Sequence, residues 1–282
     1  MTPRRLPFSF AAFLVLAAPG LAQEDRAGGD ELRSGKSYIP TPTYSAEEDA
    51  QVLALFDGLR VADVSDGMDR AGLADVGLVH PEVHALWRDT ETYKHRFIGI
   101  AVTARYVPAQ DGPLGPGESD EAFDRAVGEW YSKKSPEPFV PLIRKGTALV
   151  IEDAPHTDVG SIGSNNILAW VERGCVGVVT GGTARDTDEI IAQKVPLYLK
   201  EIGRGIRPGR NVIESVNRPV VVGGVTVVPG DVVVADGDGV IVVPRKHAET
   251  VARYARATLE TDKAGRRRLY EKLGLPEDPS VK

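Results

Sequence analysis

A chain of 282 residues with 42% hydrophobic side chains is long enough for one large globular domain with an appendage. Its net charge of −6 argues against a surface built for sequence-independent binding of nucleic acid, and its single cysteine excludes a disulfide within the chain. Beyond the N-terminus, no window approaches the roughly 18 apolar residues needed to span a bilayer.

The chain opens with Arg4 and Arg5, an apolar run from Leu6 to Ala18, and small residues at Gly20 and Ala22. That order predicts a secretory signal peptide over residues 1–22, and so a periplasmic or secreted product with no membrane span once it is removed. The remaining chain carries 32 basic and 40 acidic side chains, a net charge of −8. Residues 23–45 are polar and punctuated by Gly, Pro and Ser, which reads as an extended arm or linker. Residues 46–282 then read as a single domain.

Ser45 followed by "AEEDAQVLALFDGL" is a capped helix start with acids in its first turn. "RVADVSDGMDRAGL" predicts a second helix with Ser65 or Asp66 near its cap, and Asp63 is also read as a capping residue. "RFIGIAVTARYV" alternates and is rich in β-branched residues, predicting a strand from about Phe97 to Val107. Residues 108–141 look like a surface insertion: a Pro/Gly loop, then a helix over about Glu118 to Trp130. "GTALVIEDA" is the next strand. A Gly/Ser/Asn loop at 160–166 leads into a helix from Asn166 to Arg173, with Gly174 where a terminating glycine belongs. A strand from Cys175 to Thr180 follows; Cys175, in apolar surroundings, reads as a small core residue rather than a nucleophile. After "VPLYL" come hairpins with turns at Gly223-Gly224, Pro229-Gly230-Asp231 and Asp236 to Gly239. A long helix from about Lys246 to Leu273 closes the chain, and the basic cluster Gly265 to Arg268 is a solvated face of it. Strands, helices and antiparallel hairpins together fit a layered α/β or α+β sandwich.

Two segments carry chemistry. The loop at 160–166 can approach a ligand closely, and the helix behind it offers unpaired N–H groups to a carboxylate or phosphate; taken alone, however, the loop reads first as an ordinary helix cap, with Ser164 or Asn165 as the capping residue. Arg185 and Asp186 follow the glycine turn in "VVTGGTARDTDEII". Alone, they read as a solvated cation and a helix cap. The helix after the loop, however, leads into the strand that ends at this turn, so both features fall at one edge of an α/β layer. Arg offers a planar fork for a carboxylate, and one Asp with waters suits Mg²⁺ or Mn²⁺. A divalent ion beside an Arg would stabilise an enolate next to a carboxylate, of which pyruvate enolate is the simplest.

"GSNN … RGCVGVVTGGTARDTDEI" resembles the signature of the class II pyruvate aldolases typified by 4-hydroxy-4-methyl-2-oxoglutarate aldolase, whose fold ribonuclease activity regulator A shares. The likeness extends to "VADVSDGMDRAG", "FIGIAVTA", "GTALVIEDA" and the hairpin region, from about residue 50 to 275. It implies a β/β/α swivelling domain assembled as a homotrimer or a dimer of trimers. It also implies that backbone groups of Gly163, Ser164, Asn165 and Asn166 hold a small oxo acid, that Arg185 binds the pyruvyl oxygens, and that Asp186 holds the metal. An acidic residue from a neighbouring subunit is a further implication, with Glu260 or Asp262 as candidates. The regulator branch generally lacks an Asp after the Arg, so Asp186 favours a lyase that forms pyruvate from a 4-hydroxy-2-oxo acid or decarboxylates oxaloacetate. The alternative is a non-catalytic binding protein on the same scaffold. Gly181, where the family often has Asp or Asn, and the 163–166 sequence depart from the pattern.

Other polar residues are weaker candidates. His80, His84, His95, His156 and His247 show no zinc spacing, although His156 precedes the glycine loop. Asp236 and Asp238 read as hairpin-turn residues rather than a calcium loop.

Overall fold

The computed structural model describes residues 32–115, 117–153 and 158–281. The leader-like residues 1–22, the first part of the arm, and His156 lie outside them. The chain divides into Met1–Pro40 and Thr41–Lys282. In the first unit, residues 35–40 carry no helix or strand. The second holds every element named below.

Helix α1 (Ala46–Phe56) starts as its sequence predicts: Ser45 and Glu48 form a reciprocal capping box. Helix α2 (Val61–Arg70) starts four residues before the predicted cap at Ser65: Asp63 accepts at its start, and Arg60, a donor only, makes no side-chain cap. Ser65 and Asp66 are therefore helix-interior residues. Asp63 accepts the Arg60 backbone N–H at 2.9 Å, and Asp236 accepts the Val61 N–H at 3.0 Å.

Strands β1 (His84–Ala85) and β2 (Phe97–Pro108) lead to helix α3 (Asp120–Lys133) within the predicted insertion. Strand β3 (Thr147–Glu152) precedes a short strand β4 (Gly160–Ile162) and helix α4 (Ser164–Glu172). Helix α4 starts two residues earlier than expected and ends, as expected, at Gly174, whose φ is +109°. Next come β5 (Cys175–Thr180), β6 (Thr183–Ala184), the short helix α5 (Thr187–Ala192), β7 (Leu197–Leu199), β8 (Glu201–Ile202) and β9 (Asn211–Val216). Strands β10 (Val220–Val222), β11 (Val225–Val227), β12 (Val232–Asp236) and β13 (Gly239–Val243) precede helix α6 (Ala248–Leu273).

The main sheet runs β1-β7-β5-β3-β2-β12-β13, with β9 also on β2. β2, β3, β5 and β7 are parallel neighbours; β1, β9, β12 and β13 join antiparallel. The twelve residues of β2 pair with β12 in their first part and β9 in their last. The turn at Pro229 to Asp231 is not a hairpin, contrary to its sequence pattern: β11 pairs only with β10, and β12 crosses to β2.

Alternation along the strands divides the apolar residues by face. Ala148, Val150, Val179, Tyr198, Val233, Ala235, Val240 and Val242 form one cluster, which the β10–β11 ribbon joins through Val220, Val222, Val225 and Val227. On the other face, Leu149, Ile151, Val178, Leu197 and Leu199 pack with Ile167 and Trp170 of α4 and Ile190 of α5. Val232, Val234, Ile241 and Val243 pack with α1, α2 and α6. The result is the layered β/β/α arrangement with a long C-terminal helix. Cys175 belongs to the α4-side cluster, and burial pushes its thiol up to about 11.

The insertion is more than a surface excursion. Trp130 is buried and donates Nε1–H to the Asn211 carbonyl at 3.0 Å. Phe139 is buried edge-on against Trp170 with ring centroids 5.5 Å apart. Full burial of an aromatic side chain contributes about 1.5–3 kcal/mol, enough to anchor a segment whose polar sequence suggests a loop.

Candidate active site

The chemistry-bearing residues meet on a second, small parallel sheet, β4-β6-β8, which the sequence analysis did not detect. Its strands have only two or three residues, too short for a periodicity signal. β4 runs into α4, and β6 runs into Arg185 and Asp186. Ile162 pairs with Ala184, and the Arg185 N–H donates to the Ile162 carbonyl at 2.9 Å. This register sets Gly163 beside Arg185 and Asp186.

Two glycines make the approach possible. A methyl group on Gly160 would lie 2.6 Å from Arg185 Cβ, so the arginine stem crosses the space that a side chain would fill. A methyl group on Gly163 would lie 3.0 Å from Asp186 Oδ2, 3.4 Å from Asn166 Oδ1 and 3.9 Å from Arg185 Nε. Three polar side chains thus surround one glycine. Gly181 has no such constraint: its nearest non-neighbouring atom would be Val222 Cγ1 at 3.8 Å. The close approach in that turn belongs to Gly182, where a methyl group would lie 2.5 Å from Asp153 Cβ.

Asp186 occupies the N-cap position of α5 in the left-handed conformation, φ +56° and ψ +41°. For a residue other than glycine this costs about 1 kcal/mol, least for Asp and Asn. Its side chain makes no capping bond to α5. Instead, Oδ2 accepts the Ser164 N–H at 3.2 Å, with Ser164 Oγ at 3.5 Å. The first turn of α4, read from the sequence as a cradle for an external anion, is thus partly filled by the protein's own carboxylate. Among the described residues, the N–H groups of Asn165 and Asn166 have no acceptor.

Arg185 and Asp186 are 38% and 40% exposed, and Arg185 Nε lies 3.9 Å from Asp186 Oδ1. That separation is a loose contact rather than a hydrogen bond, so both groups keep capacity for a ligand. Among the described residues no cluster of three His, Cys, Asp or Glu side chains could cage a metal. The donor set still fits Mg²⁺ or Mn²⁺, which commonly take one or two carboxylates and keep several waters. Asp186 offers that carboxylate at an open edge, and Asn166 Oδ1 faces the same gap.

The polar layer behind the site carries no local sequence signal. Glu137, from the insertion, accepts from Asn166 Nδ2 at 2.7 Å, from Trp170 Nε1 at 3.0 Å and from the Arg207 guanidinium. Arg207 is buried and also donates to the carbonyls of Ser161 and Ser135 and to Tyr106 Oη. Burial raises the Tyr106 phenol above its ordinary range, so it stays protonated. Buried Asn211 joins Asp153 to Ser161 through Nδ2, at 2.9 and 3.1 Å.

Asp262 and Glu260 lie on α6; Asp262 accepts from Arg60 of its own chain at 3.1 Å, and Glu260 is exposed. Asp238 and Asp236 form a turn closed by the Asp238 N–H on Asp236 Oδ1 at 2.8 Å. A separate cleft of about 310 Å³, at the start of β3, is lined by Tyr44, Asp49, Arg144 and Gly146. Asp49 binds Arg144 at 2.5 Å and Arg245 at 2.7 Å there, so this is a seam between α1 and the sheet rather than a reactive centre.

Comparisons with known proteins bear on family and fold. The RraA-like family, described as Aldolase/RraA, matches residues 61–242. The 4-hydroxy-4-methyl-2-oxoglutarate aldolase of Thermus thermophilus is 34% identical over 103 residues, 35% of this chain and 60% of that protein. Protein DlpA of Legionella pneumophila is 24% identical over 221 residues, 77% of this chain and 32% of that protein. The chain therefore spans less than two thirds of the length of either relative. A Streptomyces coelicolor structure, described as an unusual member of the RNase ES inhibitor RraA protein family, superposes with a TM-score of 0.62. It is 21% identical and covers 78% of this chain and 98% of its own, a likeness of fold. The family region contains Gly163, Arg185 and Asp186, and the chain belongs to the RraA-like Aldolase/RraA family.

Proposed function

We propose that the chain is a divalent-metal-dependent lyase that cleaves a 4-hydroxy-2-oxo acid, of the 4-hydroxy-4-methyl-2-oxoglutarate type, to pyruvate and a carbonyl product. Oxaloacetate decarboxylation follows from the same chemistry. The observation that carries this reading is the convergence of Arg185 and Asp186 on the Gly163 gap, with an oxygen donor and a carboxylate-binding fork side by side.

In the cleavage, the C3–C4 bond breaks and its electron pair passes to the pyruvyl half as an enolate. The hydroxyl proton leaves, C4 becomes a carbonyl, and C3 then takes a proton to give pyruvate. Arg185 pairs its planar fork with the substrate carboxylate and fixes the orientation of the oxo acid. The free N–H groups of Asn165 and Asn166 add positive potential at the same end. Asp186, oriented by Ser164, would hold the cation. A divalent cation there would polarise the 2-oxo group and stabilise the enolate charge.

The test is to incubate the purified protein with each substrate, with Mg²⁺ or EDTA, and to follow pyruvate. Oxaloacetate loses CO₂ spontaneously, so Asp186→Ala sets the baseline. Pyruvate above that baseline, abolished by EDTA, is the expected result. No pyruvate above baseline from either substrate would leave a binding protein on this scaffold. We place the protein outside the cytoplasm on the strength of its leader-like sequence, and in a homotrimer or a dimer of trimers. N-terminal sequencing of the exported product and light scattering check these two points.

A further inference from the structure

Glu137 collects three donors from two separate parts of the chain. Asn166 and Trp170 lie four residues apart on one face of α4, and their Nδ2 and Nε1 donate to the two carboxylate oxygens at 2.7 and 3.0 Å. The third donor is Arg207, which is 4% exposed and pinned by Ser161, Ser135 and Tyr106. A carboxylate can only accept. Asn166 must therefore turn its NH₂ toward Glu137, and its Oδ1 away from it. That oxygen lies 3.4 Å from where a methyl group on Gly163 would sit, across the gap from Asp186 Oδ2. The pocket is thus bordered by two oxygens, one of them an amide oxygen whose N–H groups face elsewhere.

We propose that Glu137 is a positioning residue that locks the Asn166 amide so that its oxygen accepts a hydrogen bond from an O–H group inside the Arg185–Asp186 pocket. This rests on the lyase reading for the identity of the ligand. The O–H is either the 4-hydroxyl of the substrate or a water on the cation. A flipped amide would oppose either donor with a second donor. That mismatch is worth about a tenfold loss once the ligand covers the two groups. Where the substrate supplies the O–H, Asn166 favours hydroxylated oxo acids over those without a donor at that position.

The test compares wild type, Asn166→Leu, Glu137→Leu, which removes both acceptor oxygens, and Trp170→Phe. Each is measured for kcat and KM on 4-hydroxy-4-methyl-2-oxoglutarate and on oxaloacetate, which has no hydroxyl in its keto form. Mg²⁺ affinity, by calorimetry, and melting temperature accompany the kinetics. If the substrate supplies the O–H, Asn166→Leu and Glu137→Leu lower the preference for the hydroxylated acid by about tenfold, mainly through KM. If a metal-borne water supplies it, the Mg²⁺ Kd rises by a similar factor in both variants. Trp170→Phe removes another donor from the same carboxylate but leaves the amide facing its acceptor. It should lower melting temperature without moving the preference or the Kd.

The proposal is overturned if Asn166→Leu changes neither quantity, or if Glu137→Leu behaves as Trp170→Phe does. If wild type turns over neither substrate, the lyase reading fails by itself. Calorimetry with 4-hydroxy-2-oxoglutarate and 2-oxoglutarate, which differ only in the hydroxyl, then judges the amide. Equal discrimination and equal Mg²⁺ affinity in wild type and Asn166→Leu overturn the proposal there too.

Discussion

Asp186 stands at the start of one helix and is bound to the start of another: its Oδ2 accepts the N–H of Ser164, 22 residues away in sequence, at 3.2 Å. A side chain at an N-cap ordinarily accepts from its own helix two or three residues on. Here the left-handed backbone turns the carboxylate out of α5 and toward α4. The helix partial charge stabilises that carboxylate while its other oxygen is left near Arg185. An exposed acid is thereby held in one place without being used up in a salt bridge.

Asp186→Asn separates geometry from charge. Asn tolerates the left-handed conformation and can still accept from Ser164, so the melting temperature should stay within about 2 °C of wild type. A neutral amide is a poor ligand for a hard cation. Metal-dependent kcat/KM should fall by about 10²–10³-fold, the scale found for removing one electrostatic stabiliser. Pyruvate release coupled to an NADH-linked assay reads the loss. Near-wild-type turnover in this variant would remove Asp186 from the reaction.

Arg185→Lys keeps the charge and loses the fork. The stem of Arg185 crosses Gly160, which places the guanidinium rather than a flexible ammonium at the site. KM for the oxo acid should rise by about tenfold or more, equivalent to about 1.4 kcal/mol, with a smaller change in kcat. Steady-state kinetics at saturating Mg²⁺ check this, and an unchanged KM would place the substrate carboxylate elsewhere.

The contrast between these two residues and their surroundings explains what the sequence could show. Capping boxes, alternating strands and the helix–strand unit from Ser164 to Thr180 are local patterns, and they were legible apart from a few boundaries. The Arg185–Asp186 pair could be placed beside Gly163 because one helix and one strand separate them. The small β4-β6-β8 sheet was not legible, since two or three residues carry no period. Neither was the Glu137–Arg207 pair. A glutamate between two prolines and an arginine in a Gly/Pro loop look solvated, and only the fold brings them together under α4. The α2 start was misplaced for another reason: Asp63 accepts the Arg60 backbone N–H from within the first turn, and Arg60 has no side-chain acceptor to mark the boundary.

Gly163→Ala and Gly181→Ala should behave oppositely. At Gly163 the new methyl group would press on Asp186 Oδ2 at 3.0 Å and point toward Asn166 Oδ1. The backbone there has φ −109°, which any residue adopts, so the effect should fall on the site more than on folding. A fall of about tenfold or more in kcat/KM with a small change in melting temperature is expected. Gly181 has 3.8 Å to its nearest non-neighbour, so alanine should leave kinetics within about twofold. Equal losses in the two variants would mean that the gap around Gly163 is not the reacting space.

His95 should make the fold sensitive to acid. It is buried, its Nδ1 accepts the Asp89 N–H at 3.0 Å, and its Nε2 has no partner among the described residues. Burial, with Arg96 and Arg88 nearby, lowers its pKa below 6.5. The sign follows from proton counting. Below about pH 6.5 the unfolded chain binds a proton that the folded chain refuses, so stability falls as pH drops from there toward the folded pKa. The slope from one such group approaches about 1.4 kcal/mol per pH unit at its steepest. Urea unfolding between pH 7 and pH 5 should show this loss in wild type. His95→Phe retains an aromatic ring against Trp87, whose centroid lies 6.1 Å away, but cannot take the proton. It should be less stable at pH 7, because the Asp89 N–H loses its acceptor, and should show a flatter pH dependence over the same interval. An equal slope in both proteins would assign the acid sensitivity to other groups.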